Sequence, residues 1–364
     1  MASNILQTTV LSKAPLKGAF KYAEIFQIYP FDEQNENYQH DHPLIIEIRL
    51  AQEVYPERSD EHWHRDIWEK ERFEYIKRRS DKKKLESNDP WVVAYQEKTK
   101  QLRPSAIVSE LCNLLTLFSH YRFFSYDGRQ SWFIPLQRDE GKWDTSKSIW
   151  GQIGYASDKG GWLDDFTHVA NDQVHFIPYN DYVKSFRDTI DLSKEYQIEF
   201  PDILPGLIAA YFALTAEQKL AYYSSCRLYN QALFFSHSLP SLSLVASVMA
   251  IEKLMNIGEE NIQNCPTCGA PHSIERCDAC DAPIYRLRSR FREFMRTNSS
   301  SSMDDLYKQM YDTRSRLAHG GLLRDDLFDS GFYAGEKDNE DRLRRNSLIV
   351  VHDALLQWLI KSTQ

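Results

Sequence analysis

Arg314 and His319 stand five residues apart in the stretch "MYDTRSRLAHGG", residues 310–321, with Ser315 between them. Histidine titrates near neutrality and can carry protons, while arginine is a permanent planar cation whose donors match paired anionic oxygens. Their spacing imposes a geometric condition. Five residues along an α-helix turn a side chain by about 140°, so within one continuous helix the two would diverge. Either the helix ends near His319, or a second copy of the segment supplies the other half. Taken alone, the spacing has a simpler reading, a surface arginine followed by a histidine favoured by the helix C-terminal dipole.

A second group with chemical potential is the cysteine set in "NCPTCGAPHSIERCDACDAP", where Cys265-x2-Cys268 is followed after eight residues by Cys277-x2-Cys280. Two C-x-x-C knuckles place four thiolates at tetrahedral zinc spacing, and Gly269 directly after the first lets the chain fold back over the sulfurs. A four-cysteine site leaves no open coordination position, which points to a structural or recognition role for the zinc. Disulfides are the competing reading, one that a cytosolic chain of this size does not need. The other two cysteines, Cys112 and Cys226, fall inside helical patterns and read as small buried hydrophobes.

The elements that must position these residues are helical. Thr215 and Gln218 form a capping-box pair opening "AEQKLAYYSSCRLYNQALFFS", in which Leu220, Tyr223, Leu228 and Ala232 recur along one face. The next run, "LSLVASVMAIEKLMN", is apolar nearly all round and predicts a buried helix. Then come "IYRLRSRFREFM", a "TNSSSS" loop, and a helix with Ser302 as its cap and Asp305 in its first turn. Leu306, Met310 and Leu317 should line that helix's apolar face, and Gly320-Gly321 should stop it. A last helix over about 340–361 carries Leu343, Val350, Val351, Leu355, Trp358 and Leu359. Four or five such helices make a bundle.

The first two hundred residues mix signals. "AEIFQIY" and "PLIIEIRL" read as strands, and "YRFFSYDGRQSWFIPL" reads as a hairpin turning at Asp127-Gly128. Helical patterns cover 57–86, with Trp63, Ile67 and Ile76, and 103–119, with Ile107, Leu111, Leu114, Leu115 and Phe118. The expected organisation is an α+β domain over 1–205 and a helical domain over 206–364, the latter interrupted by a zinc-knuckle insertion at 259–283.

Charge limits the partners. A net charge of −8 argues against indiscriminate nucleic-acid binding by the whole surface. Residues 284–324 nevertheless hold nine Lys or Arg against four acids, a local balance of +5 that is either an anion-binding patch or a solvated helix face. The basic run Lys77, Arg78, Arg79, Lys82, Lys83 and Lys84 could meet phosphates, but its simpler reading is a solvated helix end. The N-terminus shows no secretory h-region, and the longest apolar run, "LSLVASVMAI", is about half a bilayer span. A cytoplasmic protein without membrane contact is expected.

The stretch "YDTRSRLAHG" resembles the R-x4–6-H motif of HEPN domains, and its form, Tyr311, Arg314-Ser315, His319-Gly320, is similar to the Apea-like branch. The upstream runs "RLYNQALFF" and "VASVMAIEKLMN", with Glu252, resemble the first two helices of that branch, so the resemblance covers roughly residues 210–360. It implies a four- to five-helix bundle that pairs as a homodimer and brings two motifs together, so that Arg314 and His319 act across the interface. It further implies a metal-independent endoribonuclease of a toxin, antiphage or stress-response kind. In that chemistry a ribose 2′-OH attacks the adjacent phosphodiester, His319 moves protons and Arg314 stabilises the phosphoryl charge. Ser315 completes the implied catalytic set, at a position where many members carry Asn, Asp or His. Zinc stays structural in this reading, RNA is the partner, and the N-terminal half serves as a sensor or as the contact for a further protein. The alternative is a non-catalytic HEPN scaffold that binds RNA or a protein partner.

Overall fold

A computed structural model describes residues 5–31, 42–50, 90–119, 121–125, 132–134, 138–139, 142–143, 149–151, 161–167, 174–188, 197–236, 238–255, 257, 263–264, 267–269, 271–272, 287–299, 303–319, 323 and 334–362. The helix expected over 57–86, its basic run and the turn at Asp127 and Gly128 lie outside these residues. The chain is β-rich in its N-terminal region and helical in its C-terminal half, with eight α-helices among the described residues. It divides into two compact units, one of residues 1–115, 123–176 and 193–200, the other of residues 116–122, 177–192 and 201–364.

The first unit is built on an antiparallel sheet. β1 (Ile5–Ser12) pairs along its whole length with β4 (His42–Arg49), from Ile5 opposite Arg49 to Ser12 opposite His42. β3 (Phe26–Pro30) lies on the other side of β4, and β2 (Phe20–Tyr22) pairs with β3 through a tight turn in which Ala23 takes a positive φ of 45°. Strand β4 is central because its sequence is apolar on both faces. Alternate side chains point to opposite sides of a sheet, and Leu44, Ile45, Ile46, Glu47 and Ile48 are each at most 1% exposed. Among the described residues, the two arms of the hairpin expected from "YRFFSYDGRQSWFIPL" do not pair with each other. Phe123–Phe124 pairs with β1 instead, and Trp132–Ile134 pairs with Ile149–Gly151. A turn signal of two residues fixes no partner when both flanking runs have apolar edges to pair with elsewhere. The helix expected over 103–119 belongs to a longer α1 (Pro90–Ser119), with Ile107, Leu111, Leu114, Leu115 and Phe118 all buried.

The second unit holds α2 (Tyr179–Asp188), α3 (Leu204–Ala213), α4 (Ala216–Phe235), α5 (Pro240–Leu254), α6 (Leu287–Asn298), α7 (Asp304–Ala318) and α8 (Ala334–Lys361). α8 packs against each of the other six. That central position explains why Leu348, Val351, Ala354, Leu355, Leu356 and Leu359 are all fully buried, and why even His352 and Asp353 are enclosed. The capping box forms at the start of α4: the Gln218 N–H donates to Thr215 Oγ1 at 3.3 Å and the Thr215 N–H to Gln218 Oε1 at 3.1 Å.

The buried face of α4 includes Ala232 as expected but is otherwise rotated, leaving Tyr223 and Leu228 half-buried. Leu220 is 67% exposed, whereas Tyr222, Cys226, Tyr229 and Leu233 face inward. These residues recur at helical spacing too, and tyrosines bury more area than leucine. Tyr222 stacks on Trp358 of α8 at 5.5 Å. α5 is enclosed nearly all round as its composition requires, with Leu242 and Lys253 its exposed residues. Cys112 and Cys226 are both buried, as helical cysteines usually are. No described helix is long and apolar enough to cross a membrane.

Candidate functional site

α7 carries Arg314, Ser315 and the approach to His319. The helix opens with Asp304 and Asp305 in its first turn, where acidic side chains offset the positive end of the dipole. Its N-cap is Met303 rather than Ser302, and no side chain caps it. Tyr307, Met310, Tyr311 and Leu317 form the buried face. The two tyrosines extend the expected Met310 and Leu317 stripe, while Leu306 is only half-buried. Leu317 seats against Leu244 and Leu323, and the Leu323 N–H donates to Ser241 Oγ at 2.7 Å, so the chain beyond α7 returns to the start of α5.

The helix ends at Ala318, and His319 is its C-cap, with φ −97° and ψ 23° and its N–H donating to the carbonyls of Arg316 and Leu317. The condition set by the five-residue spacing is therefore met: His319 leaves the helix. Its imidazole is exposed, and among the described residues neither it nor Ser315 has a side-chain hydrogen bond or ion pair.

Arg314 is held differently. Its Nη2 donates to Glu252 Oε2 at 2.7 Å, with 24% of the arginine side chain and 16% of the glutamate exposed. Its guanidinium carbon lies 6.0 Å from the centre of the Tyr311 ring, which in turn packs on Phe291 of α6 at 5.4 Å. Glu252 sits in the last turn of α5, so the pair bridges α5 and α7. Burial pushes the Glu252 carboxyl above its ordinary range, although Arg314 and Lys253 pull it back down. The arrangement fixes a cation in place and leaves a titratable imidazole on the surface beyond it. One chain does not bring the two into contact through any described interaction.

The basic cluster around this site is largely neutralised from within. Arg288 pairs with Asp312 at 2.6 Å, Arg292 and Arg296 share Asp304, and Arg316 reaches Glu340 at 3.6 Å. Arg290 donates to the carbonyl of Met255 at the end of α5. Two of the offsetting acids, Glu252 and Glu340, lie outside the segment 284–324, so the local charge count overstated the patch.

The cysteine insertion is described in part. Gln263–Asn264 pairs antiparallel with Pro271–His272, with Cys268 and Gly269 in the connection between them. Gly269 has φ +74°, a left-handed conformation that a side chain would strain, and Cys268 beside it is exposed. This backbone fits the first half of a thiolate metal site. Cys265, Cys277 and Cys280 lie outside the described residues, and among the described residues no group of three or more metal-binding side chains occurs.

One polar cluster escaped the sequence reading. Glu47 on β4, fully buried, accepts from Gln7 Nε2 at 2.7 Å, Gln27 Nε2 at 2.6 Å, the Tyr29 hydroxyl at 2.8 Å, the Thr167 N–H at 3.0 Å and the Thr167 hydroxyl. Burial drives its carboxyl up, but the bonds from Thr167, Gln7 and Tyr29 together outweigh that and leave it below the ordinary carboxylate range. With both oxygens occupied by donors, Glu47 ties the segment 161–167 to the sheet rather than moving protons. A single acid inside the apolar run "PLIIEIRL" was the signal available. Comparison with family models, with curated proteins and with solved structures returns no match for this chain.

Proposed function

We propose that the chain is a metal-independent endoribonuclease of the HEPN type, acting in toxin, antiphage or stress-response biology, with Arg314 and His319 drawn from two copies of the chain. The observation that carries the reading is the ending of α7 at Ala318, which puts an exposed His319 at the C-cap while Arg314, five residues earlier, is held by Glu252. In the proposed reaction the ribose 2′-oxygen forms a bond to the adjacent phosphorus as the bond from phosphorus to the 5′-oxygen breaks. The proton of the 2′-OH leaves to a base, and the departing 5′-oxygen gains one. His319 supplies this proton traffic, and Arg314 offsets charge on the non-bridging oxygens. Ser315, half-buried beside them, contributes a hydroxyl to the same end of the helix. Cys265, Cys268, Cys277 and Cys280 would hold a zinc that braces the insertion and takes no part in the cleavage.

A second reading has its own support. Arg314, Arg288, Arg292, Arg296 and Arg316 all carry carboxylate partners, which suits a scaffold that binds a protein or RNA without cutting it. One experiment separates the two. Purified protein is incubated with mixed RNAs in the presence of a chelator, and the product ends are analysed. The enzyme reading requires cleavage with 2′,3′-cyclic phosphate ends, no cleavage where the scissile ribose lacks its 2′-OH, and a loss of about 10²–10⁴-fold in His319→Ala. Arg314→Ala should lose about 10²–10³-fold. That variant also strands the Glu252 carboxylate at a cost of about 2 kcal/mol, so its activity is scored per folded molecule. RNA retained but uncut by wild type establishes the scaffold reading instead.

A further inference from the structure

We infer that Glu252 is the positioning residue for Arg314: it fixes the direction in which the guanidinium faces the scissile phosphate. This rests on the endoribonuclease reading and goes beyond it by assigning a role to a residue 62 positions away in sequence.

An arginine side chain on a helix has four rotatable bonds and, unrestrained, spends most of its time in directions useless to a transition state. Three contacts remove that freedom here. The Glu252 carboxylate takes Nη2 at 2.7 Å, the Tyr311 ring lies under the guanidinium, and Phe291 backs that ring. The helix end bearing Glu252 is itself anchored, because Arg290 of α6 donates to the Met255 carbonyl at 2.8 Å. The bond to Glu252 engages Nη2, and Arg314 Nε is buried without a partner among the described residues. One Nη2 donor is thus used for holding. A planar guanidinium keeps several donors in fixed directions once one is fastened, so fastening Nη2 aims the rest. The geometry has the form of an orienting carboxylate behind a working cation. Its charge also lowers the net positive charge presented to RNA, a cost in binding that pure electrostatic attraction would select against.

The test compares Glu252→Ala, Glu252→Gln and Glu252→Asp by steady-state RNA cleavage, normalised to folded dimer measured by circular dichroism and light scattering. Positioning predicts that Glu252→Ala loses about 10²-fold, the order that a 1 Å misplacement costs. The loss should fall in kcat with KM nearly unchanged, because the affected contact matters most in the transition state. Glu252→Gln keeps an oxygen acceptor of the same reach and should retain activity within about 10-fold of wild type, with Glu252→Asp between the two. Glu252→Ala cutting as fast as wild type per folded molecule overturns the inference and leaves the enzyme reading standing. So does faster cutting with a lower KM in both Ala and Gln variants, which would make Glu252 a brake on RNA binding. Wild type that cuts no RNA removes the enzyme reading and this inference together.

Discussion

Replacing Glu47 by alanine should destabilise the β-rich unit by about 3–5 kcal/mol, and the figure follows from its five bonds. Gln27, 1% exposed, loses its acceptor with no route to water, which costs about 1–3 kcal/mol. The bonds from Gln7, Tyr29 and the two Thr167 donors lie nearer the surface, where water can replace the carboxylate. Each then loses only part of its charge-assisted strength, about 0.5 kcal/mol. Glu47→Gln should be milder, about 1–3 kcal/mol, because Gln27 can turn its amide to meet the new NH2 group with its own oxygen, which is otherwise buried and unbonded.

The assays for Glu47 are urea unfolding and hydrogen exchange at the Thr167 amide, which donates to Glu47 Oε2. The sign with pH also follows. The carboxyl is held below its ordinary range in the folded state, so the unfolded chain takes up the proton first. The wild-type advantage is complete above about pH 4.3 and is lost as pH falls through the lower folded value. An alanine variant within 1 kcal/mol of wild type at pH 7, or a difference that persists undiminished in strong acid, would refute the reasoning.

Metal analysis should find close to one zinc per chain, falling to none in a Cys265→Ser, Cys268→Ser variant; a native disulfide among the four cysteines sinks the idea. Light scattering at micromolar concentration should report about twice the 42.7 kDa of one chain, and a clean monomer that still cuts RNA contradicts a site shared between copies. His352 Nε2–H donates to the Leu117 carbonyl at 2.7 Å, and burial lowers its pKa to about 4. The unfolded chain binds that proton more readily, so stability should fall by about 3 kcal/mol as pH drops from 6.5 to 4. His352→Gln should flatten this part of the pH profile, and a variant with an unchanged profile shows the slope arises elsewhere.

Features set within one helical turn were legible in the chain. Thr215 and Gln218 cap α4 because each partner lies three residues from the other, and α7 stops where Gly320-Gly321 follows His319. Gly269 takes a left-handed φ beside Cys268 for the same local reason. The β-rich then helical order was legible too, since the hydrophobic period changes from two to near four along the chain. Which face of α4 is buried was not. Leu220 and Tyr222 both head helical stripes, and only the presence of Trp358 against Tyr222 selects between them.

Pairing over long separations was also hidden. Glu252 and Arg314 are 62 residues apart and Thr167 lies 120 from Glu47, distances at which no spacing rule operates. The types and order of the chemical groups, Arg314, Ser315, His319 and the four cysteines, belong to the sequence alone, because local backbone preference and side-chain chemistry act without a fold. The setting of those groups belongs to tertiary structure: a guanidinium fastened to α5, a basic cluster cancelled by distant acids and a carboxylate saturated by five donors. Each depends on which helix or strand is packed alongside, and that is decided by burial of whole surfaces rather than by any neighbouring residue.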